Sequence, residues 1–281
     1  MRKSWITLGV MFACVAALGL FVWLKPPKTP VSFVLSALKP AEARAVRVLR
    51  KGKTLAVLEK RDGEWFVTEP MKAPADEFQV LRLIAIIEAK SALQYPAADL
   101  AKFELTAPQA EIIVGDQRFA FGAINNVTRE QYVLTQEWIF PLPLNFGAAV
   151  PADAAALLRK SVLAPRDTPV RFEFEKFSVA SDDKKWVATP SAADVSQDDY
   201  NRWVAQWREG SALRTEPVDA RKPVGDIRIT LKGDAKVTLA LIQAEPELIV
   251  RRTDLGLQFV FAGSVGKQML APPGTRLPPV K

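Results

Sequence analysis

The sequence predicts an α+β protein in which an N-terminal transmembrane helix is followed by two tandem repeats of a meander sheet covered by a helix. Three observations carry this expectation: an uncharged 20-residue run near the start, a set of landmarks that recurs about 120 residues apart, and an amphipathic helical segment after each group of strands. The implied organisation is an anchor with its flanks at 1–29, a first α+β repeat at 30–150, a helical linker at 151–165, a second repeat at 166–271 and a Pro-rich tail at 272–281.

The run Trp5 to Leu24 has no charged residue, and at about 1.5 Å per residue it reaches across a hydrocarbon core of about 30 Å. A cleavable signal would have an apolar core of about 7–15 residues ending at a small-x-small site. Here the apolar run continues through Val22-Trp23-Leu24 to Lys25-Pro26-Pro27-Lys28, which predicts retention in the bilayer. The only cysteine, Cys14, follows Met11-Phe12-Ala13 and lacks the small residues that precede a lipidated cysteine. Arg2, Lys3 and the α-amino group outweigh Lys25 and Lys28 under the positive-inside rule. The short basic tail is therefore expected in the cytoplasm of a bacterium, and the cysteine-free body in the periplasm, held to the inner membrane by Trp5–Leu24.

The formal charge of +7 shrinks once Arg2, Lys3, Lys25 and Lys28 are set aside, leaving 34 basic against 31 acidic residues in the body. So balanced a body lacks the clustered basic charge with which nucleic-acid binders neutralise phosphates.

The repeat can be followed element by element. Val46-Arg47-Val48-Leu49, Leu55 to Leu58 and Trp65-Phe66-Val67-Thr68 alternate with turns at Lys51-Gly52-Lys53 and Asp62-Gly63, a three-stranded meander closing at Pro70. Val170 to Phe174, Phe177 to Ala180 and Trp186 to Thr189 repeat it and close at Pro190. The next segment of each repeat is helical: Asp76 caps a run carrying Phe78, Leu81, Ile84 and Ile87, and Ser196 caps one carrying Tyr200, Trp203, Val204 and Trp207. Polar partners three residues on, Gln79 and Asp199, complete the pattern of a capping box. Strand pairs turning at Gly115-Asp116 and Gly233-Asp234 follow, then Tyr132 to Leu134 with Trp138 to Phe140, matched by Leu248 to Arg251 with Gln258 to Phe261. The offsets are 121 for Trp65 and Trp186, 120 for Pro70 and Pro190, and 118 for Gly115 and Gly233. The Ala-rich stretch 152–158 suits a linker helix, stopped by Pro165 and Pro169.

The chain contains no histidine, which removes the Ser-His-Asp and Cys-His constellations and histidine-ligated metal sites. Ser-x-x-Lys spacing occurs at Ser36/Lys39, Ser181/Lys184 and Ser264/Lys267, without the companion motifs that such a nucleophile needs. The glycines form no phosphate-cradling pattern. Asp182-Asp183 belongs to a hairpin turn and Asp198-Asp199 to a first helical turn, where carboxylates suit the free amides. No catalytic, cofactor-binding or metal residues are expected. Two surfaces are candidates for contact. Trp138, Ile139 and Phe140 stand in a segment without charge and could form an apolar edge. Arg50, Lys51, Lys53, Lys60 and Arg61 cluster at membrane-proximal turns and could meet anionic headgroups.

The anchor, the stretch Asp62-Gly63-Glu64-Trp65-Phe66-Val67 with Glu69-Pro70, and the helix start at Ala75-Asp76 together resemble the bacterial family called domain of unknown function 4340. Phe103-Glu104-Leu105-Thr106-Ala107-Pro108 is similar to its aromatic-Gly-Leu-x-x-Pro run, with Glu104 in place of the glycine, and Phe119 to Gly122 and Gln131 to Leu134 also fit. The resemblance implies a periplasmic body on an inner-membrane anchor, with some members found beside gliding-motility-type ABC transport components. The expected function is a non-enzymatic interaction or accessory module of an envelope complex with protein partners. The alternatives are a glycan or peptidoglycan binder using the tryptophans and a carboxylate-based hydrolase.

Overall fold

The computed structural model describes residues 32–182, 185–191 and 195–275, together with positions 11, 12, 15 and 20. Among the described residues no helix is long and apolar enough to cross a membrane, and the expected anchor at Trp5–Leu24 lies, apart from those four positions, outside them. What is described is mostly β-structure, three antiparallel sheets with a few helices.

The strands of the first half are β1 (Phe33–Val34), β2 (Ala45–Arg50), β3 (Lys53–Arg61), β4 (Glu64–Glu69), β5 (Ala73–Pro74), β6 (Lys90–Ser91), β7 (Tyr95–Pro96), β8 (Ala110–Val114), β9 (Gln117–Asn125), β10 (Glu130–Thr135) and β11 (Trp138–Pro143). Helix α1 (Glu77–Ile84) follows β5, and the single turn α2 (Asn145–Ala148) follows β11. Nine of the strands form one sheet in the order β5-β4-β3-β2-β8-β9-β10-β11-β7, while β1 and β6 pair separately. The second half contains β12 (Pro169–Glu173), β13 (Ser178–Asp182), β14 (Lys185–Thr189), α3 (Gln197–Glu209), β15 (Arg214–Pro217), β16 (Gly225–Leu231), β17 (Lys236–Gln243), β18 (Leu248–Arg252), β19 (Leu257–Phe261) and α4 (Gly263–Leu270). Its sheet runs β14-β13-β12-β16-β17-β18-β19-β15. From β4 to β7 and from β14 to β15 the two orders correspond strand for strand, so the fold is repeat-like.

Alternation within the strands decides which face is covered. Val46 and Val48 of β2, Ala56 and Leu58 of β3, and Trp65 and Val67 of β4 are all buried, as expected when one face of an antiparallel sheet packs on a helix. In the second unit Phe172, Val179 and Ala188 play this part under Tyr200, Trp203, Val204 and Trp207 of α3. The Ser196 side chain accepts from the Asp199 amide and the Asp199 carboxylate accepts from the Ser196 amide, a complete capping box. Asp76 caps α1 by accepting from the Gln79 amide at 3.2 Å.

Two expectations need correction. The apolar face of α1 is Val80, Leu83 and Ile84, continued by Ile87, whereas Phe78 and Leu81 point outward with 67% and 48% of their surface exposed. The buried set has the i, i+3, i+4, i+7 spacing of a helix face, which the 78, 81, 84, 87 set lacks. The linker is also not an α-helix. Asp153 caps a single 3-10 turn, Ala154–Leu157, and the chain is extended from Leu158. Its backbone groups bond sideways: Asp76 N donates to Leu157 O (2.8 Å), Arg159 N to Pro74 O (3.0 Å) and Ala212 N to Lys160 O (2.9 Å). Arg252 Nη1 adds a bond to Val162 O at 2.8 Å. Lateral bonds to both units take the place of the i to i+4 ladder. Leu157, Leu158, Val162 and Leu163 sink into one hydrophobic cluster that runs through both halves.

The sheet edges next to the helices are shielded in two ways. In the first unit β5 pairs with β4, Phe66 opposite Pro74 and Val67 opposite Ala73. In the second, the Gln197 amide accepts from Trp186 N and donates to Trp186 O, both at 2.9 Å, while Ala188 N donates to Tyr200 Oη at 3.1 Å. Side chains of α3 thus occupy backbone groups of β14 that a further strand would use.

On the opposite face of the first sheet a loop covers Ala120 and Ile139 with Phe103 and Leu105. A Cβ on Gly122 would overlap the Phe103 carbonyl oxygen, so only glycine allows the loop this close. Within that loop Glu104 has φ +55°, in the left-handed region that glycine adopts at least cost. Gly122→Ala is expected to lose about 1–3 kcal/mol by overpacking, and Glu104→Gly to gain up to about 1 kcal/mol. Thermal unfolding of the two variants should move in opposite directions.

Candidate functional site

The concave feature with the richest chemistry lies where the two units meet. It is a cleft of about 260 Å³ bounded by the start of β4 (Glu64, Trp65), the approach to α1 (Ala75 to Phe78), the linker (Arg159 to Ser161, Pro165) and the end of α3 with the residues after it (Glu209, Ser211). The local sequence explains each placement. The Asp62-Gly63 turn, with φ of +49° and +85°, opens β4 and sets Glu64 and Trp65 at its start. The Asp76 cap orients the first turn of α1, so Glu77 and Phe78 project from it. Arg159 is fixed from both sides, its N–H donating to Pro74 O and its carbonyl accepting from Thr215 Oγ1 at 3.0 Å.

Charge in the cleft is partly neutralised from within. Glu64 pairs with Arg166 at 2.8 Å. Burial lowers the pKa of the Arg159 guanidinium from its ordinary value, with Glu64 the main opposing influence, and Arg159 Nε is buried without a hydrogen-bond partner among the described residues. The Ser161 hydroxyl donates to Leu163 O at 2.9 Å. Among the described residues neither Glu77 nor Glu209 has an ion-pair partner, and both are exposed. Trp65 forms a buried floor and Phe78 an exposed aromatic wall.

Of the residues singled out in the sequence, Trp65 and Asp76 line the cleft, and the two candidate contact surfaces fall elsewhere. Ile139 and Phe140 are buried and only Trp138 is accessible, at 39%. Alternation along β11 sends Ile139 to the small cluster under the covering loop and Phe140 to the main core, so the three residues do not form one apolar patch. Of the basic residues, Arg50 donates to Pro151 O at 3.0 Å, Lys60 Nζ lies 5.9 Å from the centroid of the Trp65 ring, and Arg61 pairs with Glu59 at 2.6 Å. Lys51, at φ +48°, and Lys53 are exposed at the β2–β3 turn. Trp65, Trp203 and Trp207 are buried, which leaves them no stacking surface. Ser36 donates to Gln117 Oε1 at 2.5 Å and Lys267 pairs with Glu245 at 3.2 Å. Lys184 and Asp183 lie outside the described residues.

Corresponding positions of the two units differ in chemistry on the face under the covering loop. Pro96 opposite Trp138 in the first unit matches Pro217 opposite Leu257 in the second. That register makes Tyr95, Leu134 and Ile139 the counterparts of Glu216, Arg251 and Gln258. The first set adjoins an aromatic group in which the Phe103 and Tyr132 ring centroids are 4.8 Å apart. The second belongs to a polar network: Arg251 Nη2 donates to Asp219 Oδ1 (3.1 Å) and to the carbonyls of Asp219 and Arg221, and Gln258 Nε2 donates to Glu216 and Asp219.

The family model described as a domain of unknown function, DUF4340, matches residues 65–223, more than half of the 281 residues. The chain belongs to this family. No curated protein and no solved structure matches it. The DUF4340 segment begins in β4 and ends before β16, so it takes in the linker, and of the residues lining the cleft only Glu64 falls outside.

Arg159→Met, which keeps the volume and removes a desolvated charge, should be near neutral in stability, whereas Glu64→Ala, which strips Arg159 of its counter-charge, should cost about 1–3 kcal/mol in denaturant unfolding. Hydrogen bonds from Arg221 and then Gln258 hold the Asp219 carboxyl well below the ordinary carboxylate range. A depressed carboxylate contributes stability above the unfolded-state value of about 4 and loses it progressively as pH falls below that. The fall in thermal midpoint on acidification below about pH 4 should therefore be shallower in Asp219→Asn, from a lower starting value at neutral pH.

Proposed function

We propose that this DUF4340 protein is a non-enzymatic module of a bacterial envelope complex, held in the inner membrane by Trp5–Leu24 with its body in the periplasm, whose partners are proteins. The observation that carries this reading is the cleft between the units: an exposed aromatic side chain beside two carboxylates without ion-pair partners suits recognition, since exposed aromatics at the mouth of a cavity are common anchors for a partner. Of the polar groups in the cleft, Asp76 is engaged as a helix cap, Glu64 in an ion pair and Ser161 with a backbone carbonyl. The uncharged 20-residue run and its basic flank support the anchored orientation. Association with an ABC transporter is part of the same proposal and rests on the family resemblance.

Glycan binding is a second reading, favoured by the partly exposed ring of Trp138 on β11. Quenching of Trp138 fluorescence that glycan fragments leave unchanged would remove it.

The test of the main reading is a C-terminal topology reporter followed by photo-crosslinking in intact membranes. Phosphatase activity with a reproducible membrane-protein adduct is expected. A fluorescent cytoplasmic fusion, or no adduct from any exposed position of the body, would refute the proposal.

A further inference from the structure

The cleft has a chemistry that selects its occupant. Its lining carries Glu64, Asp76, Glu77 and Glu209 against Arg159 and Lys160, a formal −2 on a chain whose total is +7. Of the positive groups, Arg159 is largely withdrawn from solvent beside Glu64, which is itself shared with Arg166, and Lys160 is half-buried, so the two leave the carboxylates of the lining in excess. Glu77 and Glu209, by contrast, are solvent-facing and have no ion-pair partner among the described residues. They come from different units, one in the first turn of α1 and the other at the end of α3, so only the assembled pair of units brings them to one cleft. Glu209 also stands at a helix C-terminus, where the helix dipole repels a carboxylate and attracts a cation. Phe78 in the same lining offers an exposed aromatic face, suited to the aliphatic stem of a long basic side chain or to a cation over the ring.

The cleft, of about 260 Å³, has room for one long side chain with its adjacent backbone. We infer that the cleft between the units docks a lysine- or arginine-bearing segment of a partner protein, with the basic side chain passing along Phe78 to reach Glu77 and Glu209. This inference rests on the interaction-module reading and adds what that module recognises.

The probes are two blocked pentapeptides, acetyl-Ala-Leu-Lys-Leu-Ala-amide and its glutamate counterpart, titrated against the full chain in detergent micelles and followed through amide resonances. The lysine peptide is expected to shift the resonances of Glu77, Phe78 and Ser211, to lose at least tenfold in affinity with Glu77→Gln/Glu209→Gln, and to weaken as salt is raised. Phe78→Ser, an exposed change with little leverage on folding, should weaken it severalfold while leaving the spectrum elsewhere unchanged. Binding of the glutamate peptide in preference to the lysine peptide would overturn the inference, as would millimolar lysine peptide that leaves the cleft resonances unmoved. The two proposals fail separately. Membrane adducts obtained only from other surfaces, with no peptide binding, would reject the basic-segment cleft and keep the module, whereas peptide binding by a cytoplasmic body would do the reverse.

Discussion

The backbone of residues 157–162 is the constraint on which the arrangement of the rest depends. A connector buried between two sheets must satisfy its amides and carbonyls with something other than water, and here it does so with both units at once. Leu157 and Arg159 bond residues 76 and 74 on one side, Lys160 bonds Ala212 on the other, and Val162 receives the Arg252 guanidinium. Because Leu158 and Leu163 are also fully buried, moving one unit would break hydrogen bonds and expose apolar surface together. The cleft and the position of Arg159 in it are consequences of that double attachment.

Much of the architecture was legible in the sequence because local rules govern it. Glycines at the turns near 52, 63, 115 and 233, two capping residues and period-2 burial fix the strands and the helix starts without reference to the rest of the chain. The face of α3 could be read because Tyr200, Trp203, Val204 and Trp207 leave no competing apolar set. Helix α1 offered two, and Phe78 and Leu81 mislead because two turns give too short a window to separate them. The corrected set 80, 83, 84 and 87 is the better helical match, and it could have been found by spacing alone. The linker departs from its compositional expectation for a different reason. An Ala-rich composition favours helix only by fractions of a kcal/mol per residue, less than lateral bonds to two sheets can offset.

The candidate site was not legible. Glu77 and Glu209 are 132 positions apart, and only the docking of the two units makes them neighbours of one cleft. The Trp138 segment looked like a surface because it is apolar, yet neighbouring residues in a strand face opposite ways, and composition cannot say which face is covered twice. The divergence of the covered faces, aromatic around Tyr95 and ionic around Arg251, shows that the two units share strand order but not interior chemistry. Conserving a sheet order requires only the hydrogen-bond ladder and its turns, so side chains under the loop were free to settle on different solutions.

The Gln197 amide bonded to the Trp186 peptide has a consequence for β14. An open edge strand is a template on which another chain can polymerise. Here one carboxamide imitates the missing neighbour, presenting an acceptor and a donor to a single residue, and the Tyr200 hydroxyl occupies the next outward amide. Cross-β growth from this end of the sheet must first displace both plugs. The guard on that edge is thus carried by two helix side chains.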